Sequence, residues 1–170
     1  LEALRDSAEN IPVMLVNSDL YPAMRSAEAL THWTRLAEAV ALTREECAAP
    51  ETCHFADVRP YRGGLDAFVF SAACLDRLIA ALRACTAGER MCFGIPGWDY
   101  LMGAVITSGD MAGGQVSGRI MDSGLLLHES HPTTYGNLAE FEFYMADMER
   151  VAGTGGTEVS QVAQAFNRRI

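Results

Sequence analysis

The feature that most limits what this chain can fold into is a repeated pattern of short apolar runs that stop against polar residues. Pro12 to Val16 ends in Asn17-Ser18-Asp19, Ala39 to Thr43 ends at Arg44, Ala67 to Phe70 follows Gly63-Gly64-Leu65-Asp66, and Gly124 to Leu127 runs into His128-Glu129-Ser130-His131. Such short runs without strict alternation suit strands buried on both faces. Met91 to Phe93 and Val116 to Met121 read as further strands. Between them lie amphipathic helices. Met24, Ala27, Leu30, Trp33 and Leu36 recur at three- and four-residue steps within Ala23 to Ala37. Leu75, Leu78, Ile79 and Leu82 form one stripe within Ala72 to Ala84, and Asp99 opens a helix through Ile106. Helical spacing also marks the opening residues to Asn10, Gly136 to Val151 and Glu158 to Arg169. Alternating strands and helices predict an α/β fold with a mostly parallel sheet flanked by helices. Residues 1–152 read as one domain, and 153–170 as a Gly-rich link with a last helix.

Composition narrows the function. With 170 residues, 49% of them hydrophobic, the chain has enough apolar material for a single core. Its formal charge is -9 and it contains no lysine, which argues against a surface that binds a nucleic-acid backbone. No apolar run approaches the ~20 residues of a membrane span, and the opening residues lack a signal pattern, so a cytoplasmic location is expected. Five cysteines without a CxxC pair favour neither a disulfide framework nor a zinc knuckle. Cys47 and Cys53 flank a loop and are able to pair, whereas Cys74, Cys85 and Cys92 sit in apolar segments as small fillers.

The tetrapeptide His128-Glu129-Ser130-His131 puts two imidazoles at the end of a buried strand, where α/β proteins gather their chemistry. Its histidines are three apart, a strand precedes them and Pro132 follows, so it is not the helical HExxH of metalloproteases. A metal-dependent hydrolase is a minor alternative. Asp19, Asp99 and the His pair each follow an apolar segment, and strand ends on one sheet edge bring such residues together. Asp19 with one imidazole suits Mn2+ or Mg2+ better than Zn2+. The same Asn17-Ser18-Asp19 string also favours a turn or helix N-cap, and residue types leave both readings open. Gly64 permits close approach at a strand start, with Asp66 ready to accept hydrogen bonds from hydroxyl groups. An ordinary Gly-rich turn fits that string equally well. Arg44 to Gly64 is long for a structureless loop, as functional loops often are. Neither a GxGxxG nor a P-loop is present.

Taken in order, Val13 to Asp19, Gly64 to Phe70, Phe93 to Leu101 and His128 to His131 resemble the later part of GT-A-type nucleotide-sugar glycosyltransferases. The resemblance implies a GT-A-like fold in which Asp19 and His131 or His128 hold a divalent cation, Mn2+ or Mg2+. It implies Asp99 as the acceptor-side base, Asn17 beside the donor, Asp66 and Gly64 lining the donor-sugar pocket, Trp98 offering a flat face to a sugar ring, and Arg44 pairing with a diphosphate oxygen. The implied partners are a nucleotide-sugar donor and a glycan or other hydroxyl acceptor. In such enzymes the strands that bind the base precede the Asp motif, and here only a helix and a few residues do. Asn17-Ser18-Asp19 carries one carboxylate where many of these enzymes have two. The expectation is a scaffold lacking the nucleotide-binding strands, as a piece of a larger polypeptide would, and the alternative is a non-catalytic glycan-binding or interaction domain on the same scaffold.

Overall fold

The computed structural model describes residues 1–7, 11–22, 27–49, 58–61, 63–84, 97–107, 118–123 and 126–130. Four helices are described: α1 (Glu2–Ser7), α2 (Ala27–Leu36), α3 (Leu75–Ala84), led in by a 3-10 turn at Ala72–Cys74, and α4 (Trp98–Thr107). The strands are β1 (Val13–Val16), β2 (Leu20–Pro22), β3 (Ala39–Leu42), β4 (Arg44–Cys47), β5 (Arg59–Tyr61), β6 (Ala67–Phe70), β7 (Gly118–Met121) and β8 (Leu126–Glu129). They form two sheets, ordered β1-β6-β3-β7 and β2-β8-β4-β5.

Each chain segment supplies one strand to each sheet. β1 passes to β2 through Asn17-Ser18-Asp19, β3 passes to β4 through Thr43 alone, and β7 passes to β8 around Asp122-Ser123. The parallel pairing of β3 with β7 therefore continues as the parallel pairing of β4 with β8. Leu42 faces Met121 and Glu45 faces Leu127, so the second segment takes six steps where the first takes three. The extra length is fastened by side chains. The Thr43 hydroxyl donates to Asp122, Ser123 Oγ donates to the buried Glu45 at 2.9 Å, and the Leu126 N–H donates back to Ser123 Oγ.

The mostly parallel sheet expected from the apolar runs is not what forms, because four of the six pairings are antiparallel. The runs reported burial on both faces, and parallel pairing is only one way to achieve that. Every residue of β3 and β6 is buried. Ala39, Ala41, Phe68 and Phe70 face α3 and α4, with each Phe paired across the sheet to an Ala, while Val40, Leu42, Ala67 and Val69 pack with Leu20, Trp33 and Leu126. Helices thus cover one face of the first sheet, and residues of α2, β2 and β8 cover the other.

α4 lies so close to β7 that a side chain at Gly118 would overlap the Ile106 carbonyl. Gly97, at φ 99°, turns the chain into α4 in a conformation that favours glycine. Among the described residues no helix is long and apolar enough to cross a membrane. Cys47 and Cys74 are buried. Cys53, Cys85, Cys92, the helices expected at Gly136 to Val151 and Glu158 to Arg169, and the 153–170 segment lie outside the described residues.

Candidate functional site

The sequence expectation placed the chemistry on the edge of a parallel sheet; the residues meet instead on the seam where the chain steps from one sheet to the other. Backbone hydrogen bonds carry the first sheet up to this seam, from Asn17 N–H to Asp66 O, from Asp66 N–H to Leu42 O and from Thr43 N–H to Met121 O. Asn17 and Asp66 are thereby neighbours beyond β1 and β6, and Arg44 begins the strand next to them.

Asp66 is the hub. Its Oδ1 accepts from Arg44 at 2.6 Å and from Asn17 Nδ2 at 3.1 Å, and its side chain is 6% exposed. Its Oδ2 is buried and accepts no hydrogen bond among the described residues. Burial pushes the Asp66 carboxyl up from its ordinary value and the Asp19 carboxylate adds to that, with Arg44 and His128 pulling the other way. Arg44 reaches Glu46 at 3.2 Å and stacks over the Tyr61 ring at 4.1 Å. Burial opposes its charge, but its acidic neighbours, Asp66 foremost, leave the guanidinium held above its usual range. Its charge is met inside the chain, so the expected pairing with a diphosphate would have to compete with two carboxylates.

Asp99, in the first turn of α4, accepts the Leu65 N–H at 3.0 Å, and the hydroxyl of the next residue, Tyr100, donates to the Gly63 carbonyl. Together they clamp the Gly63-Gly64-Leu65 stretch against the helix. A Cβ at Gly64 would lie 3.4 Å from Asp99 Oδ2 and 3.9 Å from Asp66 Oδ2, so both carboxyls border the same point. Burial pushes Asp99 up to about 7; the Leu65 N–H works against the rise and the Asp66 charge adds to it.

On the far side of the seam, His128 of β8 stands opposite Leu20 of β2, and its Nε2 lies 3.2 Å from Asp19 Oδ2. The Leu20 N–H donates to the Asn17 carbonyl, closing the turn that carries Asp19. The His128 side chain is 4% exposed and that of Asp19 is 51%. The turn reading of Asn17-Ser18-Asp19 holds, and the turn sets Asp19 beside His128.

Asn17, Asp19, Arg44, Gly64, Asp66, Asp99 and His128 thus gather along one seam. Trp98 does not join them as expected: it is 4% exposed, its ring centroid 5.3 Å from that of Phe68 in the core. An indole at the first position of α4 serves packing there and has no open face for a sugar. His131 lies outside the described residues. Sequence reading missed Tyr61, Glu46 and Tyr100, which brace the site. Tyr61 and Glu46 sit in the segment without a period, and only the Asp-Tyr adjacency after Trp98 hinted at Tyr100.

Among the described residues no three His, Cys, Asp or Glu side chains are grouped to hold a metal ion. Asp19 and His128 form a two-donor set, since Asp66 is committed to Arg44 and Asn17. Two donors about 3 Å apart match ligands ~2.1 Å from one ion at right angles. Two donors are fewer than a closed Mg2+ or Mn2+ cage takes.

Fold and site together define an α/β protein of two mixed sheets with a polar seam between them. No protein-family model, curated protein or solved structure matches this chain.

Proposed function

We propose that the chain is a GT-A-like glycosyltransferase domain that moves a sugar from a nucleotide-sugar donor to a hydroxyl acceptor with Mn2+ or Mg2+. The observation that carries this reading is the meeting, on one seam, of the Asp19–His128 pair with the carboxyls of Asp66 and Asp99 around Gly64. Those residues come from four separate stretches of sequence, and each belongs to a motif of the resemblance.

Asp99 is the group for proton transfer, because a carboxyl at about 7 is deprotonated often enough to accept a hydroxyl proton near neutrality. Asp19 and His128 would hold the cation, which when bound offsets the charge of the departing nucleoside diphosphate. Asp19, Glu46, Asp66 and Asp99 outnumber the single guanidinium of Arg44, so a bare diphosphate is repelled. Asp66, Arg44 and Asn17 fix the geometry between the two ends of the seam.

Hydrolysis of a panel of nucleotide sugars in Mn2+ tests the assignment. Asp99→Asn is expected to abolish turnover while nucleotide binding stays nearly intact, and Asp19→Ala to weaken both. Normal turnover in Asp99→Asn would remove Asp99 as the base. One observation favours a second reading, a non-catalytic glycan-binding domain: Asp66 Oδ1 is taken by Arg44 and Asn17 from within the chain. Glycan binding without any turnover in the wild-type chain would select it.

A further inference from the structure

The seam contains a buried acceptor that no described residue satisfies, Oδ2 of Asp66. The Asp66 side chain is 6% exposed, and its other oxygen is taken by Arg44 and Asn17. Such an orphaned acceptor is costly unless some state of the molecule brings it a donor. Gly64 shows where the donor stands. A Cβ there would lie 3.9 Å from this oxygen, 3.4 Å from Asp99 Oδ2 and 3.6 Å from a Tyr61 ring carbon, so the two carboxyls face one small space that a glycine keeps open.

The titratable and charged groups around Asp66 are Arg44 of β4 with Glu46 beyond it, Tyr61 of β5, His128 of β8, Asp19 of the turn and Asp99 of α4. At the Gly64 space Tyr61 presents ring carbon, so a protonated Asp99 is the group that brings a donor there. We propose that Asp66 and Asp99 work as one acid pair across the Gly64 space, Asp99 taking the proton of the acceptor hydroxyl and Asp66, as its positioning residue, holding that proton through the unsatisfied Oδ2. The hydroxyl O–H bond breaks, its electron pair forms the new bond to the sugar carbon, and the diphosphate leaves with the electrons of the old one. The proton stays on Asp99. Exposure divides the roles in the same way, since Asp99 keeps part of its surface in solvent while Asp66 is 4% exposed and acts only through its neighbour. The inference rests on the transferase reading for the role of Asp99.

Carbon-13 NMR of the side-chain carboxyls tests the pair in the intact chain and needs no turnover, so the pair and the transferase reading fail separately. In wild type the Asp99 carboxyl is expected to titrate at about 7. Asp66→Asn removes the neighbouring charge, and the Asp99 midpoint is expected about one pH unit lower. The acid limb of the sugar-transfer pH profile moves with it, which a loss of packing alone does not produce. Asp99→Asn is the reciprocal variant: it keeps an acceptor for the Leu65 N–H, is expected to lower the Asp66 midpoint by a similar amount, and decides the matter if Asp66→Asn does not fold. An Asp99 midpoint unchanged in Asp66→Asn, or an Asp66 midpoint unchanged in Asp99→Asn, would overturn the pair and leave the transferase reading standing. Coupled midpoints in a chain that transfers no sugar would remove that reading and the positioning role with it.

Discussion

The two ends of the seam use charge in opposite ways. At one end Asp66 and Arg44, with side chains 6% and 14% exposed, neutralise each other at 2.6 Å, and Asn17 and Tyr61 complete the packing. At the other end Asp19 is half exposed and leans on a buried imidazole. The first arrangement is closed, and its energy goes into holding two sheets in one relation. The second leaves a carboxylate facing solvent, where a cation or hydroxyl can reach it. Asp99 stands between these limits, anchored by Leu65 N–H yet near neutral in its protonation. Residues of one seam therefore differ in how far solvent reaches them.

Unfolding by urea separates the two ends most sharply. Asp66→Ala strands Arg44 in a buried position with only Glu46 to offset it, and is expected to cost about 3–5 kcal/mol. A loss below about 1 kcal/mol would show that the closed end is not held by this pair. Next comes the clip on the β7–β8 passage. Ser123→Ala leaves the buried Glu45 carboxylate short of a donor and the Leu126 N–H short of an acceptor, with an expected loss of about 1–3 kcal/mol.

The intermediate character of Asp99 appears as a pH dependence. Its carboxyl rises from 3.8 to about 7 on folding, so the folded state holds the proton more tightly. Its contribution to stability is complete below pH 3.8 and is lost as pH climbs to about 7. Asp99→Asn keeps an acceptor for Leu65 N–H, and is expected to reduce the fall in stability across that window. Asp66, also raised, contributes in the same direction and leaves a residual slope. An identical slope in wild type and variant would contradict the assignment. The smallest effect belongs to the open end: Asp19→Ala is expected to change stability by less than about 1 kcal/mol, since half of that side chain is already in water.

Much of the core was legible because β1, β3, β6, α3 and α4 carry their burial in local apolar patterns. β4 was not. Its residues Arg44-Glu45-Glu46-Cys47 read as charged loop, yet Glu45 and Cys47 are buried, and Glu45 is tolerated there through the hydroxyl of Ser123, far away in sequence. β2 and β5 are three residues long and each contains a proline, Pro22 and Pro60, which hides a strand that pairs only at the edge of a sheet. The candidate site was visible as separate polar stops after apolar runs. What joined them was not, because the stepping of each segment from one sheet to the other has no local signature. Trp98 shows the converse error: the resemblance implied a ligand face, and packing against Phe68 claimed it.

The account depends most on the open end being a cation site that admits a nucleoside diphosphate. Mn2+ titration followed by the electron paramagnetic resonance of the free ion, with and without UDP or GDP, measures this directly. The account predicts weak uptake of Mn2+ alone, stronger uptake with the matching nucleotide, and loss of both in Asp19→Ala and in His128→Ala. Uptake that is independent of nucleotide and unchanged in those variants would contradict it.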